Sequence, residues 1–153
     1  MARRVARRRD GADRPLAATF RRNATGFLNG AEAMLTRHPE GARYFLAIAI
    51  ELALKAYLLD RGISDDWNRV YLRHDLVKAL KFARRAGFNG APAKLPQLAA
   101  LLSPYYQVHA ISKMPHQALA SVCWAGVCKT VRELIDAVVE ASERGGRREE
   151  GAA

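Results

Sequence analysis

Between Tyr44 and Leu59 the chain carries sixteen residues, YFLAIAIELALKAYLL, of which only Glu51 and Lys55 are charged. A surface helix shows a single apolar stripe, whereas a helix apolar on all sides is buried among neighbours. The stretch is short and charged for a bilayer span, which needs about 20 mainly apolar residues. It is therefore read as the core helix of a domain without a transmembrane segment. At 100° per residue Glu51 and Lys55 fall on one strip with Tyr44, Ile48 and Leu58. Two charges taken into a core cost several kcal/mol each before pairing. Two readings stay open: a self-neutralising pair that fixes helix packing, or a polar notch that takes a ligand phosphate, ribose or RNA group beside Arg43 and Tyr57.

The apolar periodicity elsewhere is helical as well, with few of the alternating β-branched runs that mark strands. A first helix is expected from about Pro15 to His38-Pro39, and the core helix from about Gly41 to Arg61, ending on Gly62. After an irregular link, ISDDWNRVYL, a third should run from about Leu72 to Ala86 and end at Gly87. A shorter one covers Leu95 to about Val108, and a long last helix runs from His116 to about Glu143. The expected fold is all-α, an antiparallel four-helix bundle with an additional short helix. With 153 residues, half of them apolar, one domain spanning residues 15–143 is the natural size.

The ends carry a different composition. Residues 1–22 hold eight Arg and two Asp, whereas residues 23–142 hold 14 basic and 10 acidic side chains. More than half of the net charge of +10 is thus a property of the N-terminal stretch. An Arg cluster without large apolar residues cannot recover its ordering entropy by burial, so residues 1–14 are expected to form a disordered arm and residues 144–153 a frayed tail. Such an arm is either a solvated extension, or a start assigned too far upstream, or a phosphate-binding element. No continuous apolar stretch of signal-peptide type follows it, and a cytoplasmic location is expected.

The domain's own charge excess sits around the third helix, where Arg69, Arg73, Lys78, Lys81, Arg84 and Arg85 stand against Asp75 alone. If that helix is regular from residue 72, Leu72, Leu76, Ala79, Leu80 and Ala83 share one face. His74, Lys78, Lys81 and Arg85 then line the other. That stripe is either a solvated face or a rail for phosphates, and a helix N-terminus close by adds free N–H groups that favour anions.

The segments YFLAIAIELALKAYLLDRGI and RHDLVKALKFARRAGF together resemble the HEPN superfamily of bacterial helical domains. The likeness rests on an E-L-x-L-K-A core helix with a Gly-terminated end, followed by an H-D-L that opens the next helix, and covers Tyr44 to Phe88. The resemblance implies an antiparallel helical bundle, frequent homodimers, and functions linked to RNA. It implies either a non-catalytic module binding RNA, a nucleotide or a protein partner, or a metal-independent endoribonuclease of a toxin–antitoxin or defence system. Ribonuclease members use an Arg followed four to six residues later by His, and Arg69 and His74 have that spacing. Candidate ligand-binding residues are Arg43, Glu51, Lys55, Arg73, His74, Lys78, Lys81 and Arg85. The implied partners are RNA or a nucleotide, a second copy of the chain, and a cognate antitoxin or neighbouring-gene protein.

Other chemistry has little support. His38, His74, His109 and His116 lack metal-ligand spacing, and Cys123 and Cys128, five apart, would point about 140° from each other on a helix. No Gly-rich phosphate loop, Ser nucleophile motif or paired-carboxylate signature is present, so neither a metal nor a cofactor is expected. Trp67, Tyr71, Tyr105 and Tyr106 are either base-stacking residues or core contacts.

Overall fold

The computed structural model describes residues 11–152. The expected all-α class holds, with seven α-helices, one 3-10 turn and no strand among the described residues. The helices are α1 (Arg14–Met34), α2 (Pro39–Asp60), α3 (Asp65–Tyr71), α4 (Leu76–Arg85), α5 (Leu95–Tyr106), α6 (His116–Ala120) and α7 (Trp124–Glu150). The 3-10 turn, Ile111–Lys113, lies between α5 and α6. No helix among the described residues is long and apolar enough to cross a membrane.

Local chemistry accounts for most boundaries. α1 opens where the Asp13 side chain accepts from the Leu16 N–H, with Pro15 in the first turn. α2 ends at Gly62 and α4 at Gly87, both at positive φ (80° and 108°). In each case the two N–H groups that follow the helix fold back onto its last carbonyls: Gly62 on Leu59, Ile63 on Leu58, Gly87 on Arg84 and Phe88 on Ala83.

Three expectations are corrected. The link ISDDWNRVYL is not irregular: Ser64 caps the Trp67 N–H at 3.2 Å, and with Asp65 and Asp66 in the first turn it starts the short helix α3. The last helix is not continuous. The Leu119 carbonyl that would accept from Cys123 in an unbroken helix takes the Trp124 indole N–H and the Val122 N–H instead, which separates α6 from α7. The frayed tail expected from residue 144 is helical through Glu150, held by the Arg144–Glu140 and Arg14–Glu149 ion pairs. Residues 1–10 of the expected arm lie outside the described residues, and its last residue, Arg14, belongs to α1.

α1 and α2 pack along their lengths, antiparallel as the short link Leu35–His38 requires, and α7 lies over both. α4 packs on α2 and α5 on α4, while α3 touches α2 more lightly. From Ala49 to Leu59 every residue of α2 except Leu52 is buried, as its apolar circumference requires. Tyr44, Phe45, Ile48 and Leu52 of the same helix are half-buried and pack against the edge of the core. Among the described residues the large apolar side chains left exposed are Val70, Val77 and Val108.

Leu54, fully enclosed at the centre of α2, offers the direct test of this core. Leu54→Ala should lower unfolding free energy by about 2–5 kcal/mol in urea titrations, with helix content by circular dichroism unchanged in the folded baseline.

Candidate functional site

The polar strip on α2 faces inward. Glu51 is buried, and Lys55, one turn on, donates to its Oε1 at 2.6 Å. The carboxylate is not satisfied by this pair alone. The His74 ring reaches it from the connection between α3 and α4, with Nδ1 2.9 Å from Oε1 and 3.0 Å from Oε2. The Tyr106 hydroxyl, at the end of α5, donates a short hydrogen bond to Oε2. Three segments distant in sequence thus converge on one charge.

The corner that delivers His74 is strained. Arg73 and His74 both have left-handed backbone, with φ 42° and 63°, in a stretch without glycine. Left-handed geometry costs an L-residue about 1–3 kcal/mol, so the surroundings must hold it. Asp75 next to it caps α4 by accepting from the Lys78 N–H at 2.9 Å, and the Asp75 N–H returns to the Leu72 carbonyl at 2.7 Å. Ser103 of α5 ties the corner down: its hydroxyl donates to Asp75 at 3.2 Å and accepts from the Leu76 N–H at 3.0 Å. In the H-D-L triplet, therefore, His74 binds the buried acid, Asp75 caps, and Leu76 enters the core.

Electrostatics fix the protons. Burial is the largest influence on the Glu51 carboxyl and pushes it up. The Lys55 charge and the hydrogen bonds from Lys55, Tyr106 and His74 together outweigh burial and hold it below its ordinary value near 4.5. Glu51 is thus an anion at neutral pH and can only accept, so His74 Nδ1 carries the proton. Burial, the Glu51 charge and the hydrogen bond to it drive the Tyr106 phenol far above its usual range, and it remains a donor. A neutral His74 then has its lone pair on Nε2, which takes no hydrogen bond from the described residues, and the side chain is 43% exposed. A buried carboxylate that orients an exposed imidazole in this way equips it to accept a proton or hydrogen bond from a molecule at the surface.

His109 stands beside it, exposed, its ring centroid 5.4 Å from that of His74 and its backbone again left-handed at φ 54°. The Tyr106 ring also packs edge-on against His74, at 5.2 Å. Two of the three non-glycine residues with positive φ among the described residues are thus these neighbouring histidines.

The remaining sequence candidates separate. Because α4 begins only at Leu76, His74 is not part of a stripe with Lys78, Lys81 and Arg85; the left-handed corner turns it the other way. The N-terminus of α4 is closed by its own Asp75 and by Ser103, not left free for an anion. Leu76, Ala79, Leu80 and Ala83 form the buried face as expected, with Lys78 half-buried and Lys81, Arg84 and Arg85 exposed. Between α4 and α5 lies a shallow groove of about 320 Å³, its floor Val77, Leu80, Pro96 and Ala99 and its rim Lys81, Arg84 and Arg85.

Arg43 lies over the Trp124 ring at 5.7 Å and does not join the Glu51 network. Tyr57, expected beside Glu51, points elsewhere, its hydroxyl donating to the Ala86 carbonyl at 3.3 Å. Arg69 is exposed on α3 without a hydrogen bond or ion pair among the described residues, and Arg73 Nε donates to its own Val70 carbonyl. Trp67 and Tyr71 stack on each other at 5.2 Å, and Trp67 also packs edge-on against Phe82 at 4.9 Å. Tyr106 and His109 are the contributors that sequence reasoning missed as members of this cluster. Cys128 is buried in α7 while Cys123 is exposed ahead of it, and no group of three or more His, Cys, Asp or Glu among the described residues is placed to hold a metal.

In comparisons with protein-family models, with curated proteins and with solved structures, nothing matches this chain.

Two expected outcomes follow from the Glu51 network. Its folded-state carboxyl lies below the unfolded value, so its stabilisation is complete above about pH 4.5 and is lost as pH falls through the lower folded value. Glu51→Gln, which strands Lys55, should cost about 3–5 kcal/mol near neutral pH, and that difference should shrink below about pH 4.5 in urea titrations. A difference constant down to about pH 3 would mean that the carboxylate charge is not what holds the network. Tyr106→Phe, which removes one donor and no packing volume of note, should cost about 1.5–3 kcal/mol by the same measurement.

Proposed function

We propose that the chain is a HEPN-like helical domain that binds RNA or a nucleotide-like anion across the His74–His109 face and the cationic groove between α4 and α5. The observation that carries this reading is His74 itself: a strained, half-exposed imidazole clamped through Nδ1 to a buried carboxylate, with Nε2 left available. Its support from charge is the rim of Lys81, Arg84 and Arg85 over an apolar floor, a surface suited to phosphates on one side and bases on the other. The residues of the two resembling segments also meet, since Glu51 and Lys55 of one contact or neighbour His74 of the other. In this reading α1, α2, α4 with α5, and α7 make an antiparallel four-helix bundle. By the same resemblance the protein works as a homodimer, within a toxin–antitoxin or defence system and beside a cognate antitoxin or neighbouring-gene protein, and its expected location is the cytoplasm.

A second reading is favoured by the Glu51–His74 dyad. An imidazole with Nδ1–H on a carboxylate is prepared to remove a proton from a 2′-hydroxyl, and a second histidine 5.4 Å away is positioned to serve the leaving oxygen once protonated. That is a metal-independent endoribonuclease in which His109 supplies a role that the Arg69–His74 spacing alone does not.

Fluorescence anisotropy with single-stranded RNA tests the binding reading. Log affinity should fall with log salt by about 0.7 per phosphate neutralised, and joint reversal of Lys81, Arg84 and Arg85 to Glu should flatten the slope by about 2 and weaken binding at least about tenfold. Salt-insensitive affinity equal in both proteins would remove RNA as the ligand. His74→Asn keeps a donor to Glu51 and suits left-handed backbone, but lacks Nε2. It should fold normally, and under the ribonuclease reading it should abolish EDTA-resistant cleavage that leaves 2′,3′-cyclic phosphate ends. Cleavage undiminished in His74→Asn would exclude His74 as the base.

A further inference from the structure

A second cavity, of about 490 Å³, opens where the C-terminal end of α2, the loop after α4 and the last turns of α7 meet. It shares no residue with the Glu51 network or with the α4 groove. Its volume falls within the range of small-molecule sites.

The charges on its walls do not cancel. Its acids are each engaged: Asp60 takes Arg21 at 2.7 Å, Glu149 takes Arg14 at 2.5 Å, and Glu140 takes Arg144. Burial, the largest influence on Asp60, outweighs the nearby Arg21 and Arg14 and raises its carboxyl above the ordinary value. Arg61 and Arg148 also line the cavity, and neither has a carboxylate partner among the described residues. Arg61 is held by stacking instead. Its guanidinium lies 5.1 Å from the Tyr57 ring centroid, and Tyr57 is fixed by its bond to the Ala86 carbonyl and by Phe88 at 4.9 Å. Gly87, at φ 108°, makes the turn that carries the loop past this stack, and its Cα faces the Tyr57 hydroxyl and Arg61. A guanidinium positioned by an aromatic face keeps its N–H donors for a ligand and loses less side-chain freedom on binding.

We propose that this cavity binds a small organic phosphate monoester, its phosphate on Arg61 and Arg148 and its organic body along the wall of Phe88, Ala137 and Ala141. Two unpaired guanidinium groups match a dianion, and their planar forks suit phosphate oxygens. The apolar wall gives an ester an advantage over the bare ion.

Titration calorimetry on the full chain with ribose 5-phosphate, adenosine 5′-monophosphate, inorganic phosphate and uncharged adenosine tests the assignment. At least one ester should bind about tenfold tighter than inorganic phosphate or adenosine. Arg61→Gln and Arg148→Gln, both at exposed positions, should each weaken that ester about tenfold with thermal unfolding unchanged. Reversal of Lys81, Arg84 and Arg85 should leave it unaffected, so failure of the RNA reading and failure of this one are separable. No ester binding at millimolar concentration, inorganic phosphate binding as tightly as the esters, or undiminished affinity in both arginine variants would overturn the proposal.

Discussion

A carboxylate buried in the middle of a helix sets conditions on everything packed against it. Glu51 is buried in the middle of α2, and an anion there is tolerable only if its lone pairs are filled. Lys55 fills one from the same helix; the others require an imidazole from the α3–α4 corner and a hydroxyl from the end of α5. Satisfying one charge therefore fixes where α4 begins and where α5 must stop. The Ser103 bridge to Asp75 and the Leu76 N–H repeats the constraint one turn earlier on α5. Two independent polar ties thus lock the same pair of elements, and a register shift of either helix would break both at once.

How far this was legible differs by residue. The all-sided apolar run predicts a buried α2, and it is buried. The inward strip of Glu51 and Lys55 follows from helical angle alone, and Gly62 and Gly87 mark their helix ends because only a left-handed cap needs them. Tyr106 was not legible as a partner of Glu51, nor His109 as a neighbour of His74, being 55 and 35 residues away with no local pattern to announce a long-range contact. The break between α6 and α7 hides for a similar reason. Its cause is an indole taking a backbone carbonyl, a tertiary event in a segment whose apolar spacing is helical throughout. The ISDDW segment is the opposite case, since Ser64 followed by two acids is a local helix start that the sequence itself displays.

The net charge of +10 becomes informative once paired and unpaired cations are told apart. Arg21, Lys55, Arg132 and Arg144 are spent on Asp60, Glu51, Glu32 and Glu140. The exposed cations of α4 have no such partners among the described residues and lie together at one groove, whereas Arg61 and Arg148 line another cavity. A solubilising charge would be scattered; these two sets each share a concave surface with apolar walls, the combination that binds an anion with an organic body.

The identity of residue 74 carries the functional argument further than its position does. A left-handed backbone accepts Asn or Gly with less strain, and the Asn amide offers the same N–H to Glu51 that His74 offers through Nδ1. For structure alone, then, an imidazole is not required. What it adds is a second nitrogen on the far side of the ring, on a side chain 43% exposed and held against rotation by the carboxylate on one edge and the Tyr106 ring on its flank. The strain at the corner is thus coupled to a surface group whose chemistry the fold itself does not use, with His109 alongside it and the cationic groove on the same helix that the corner begins.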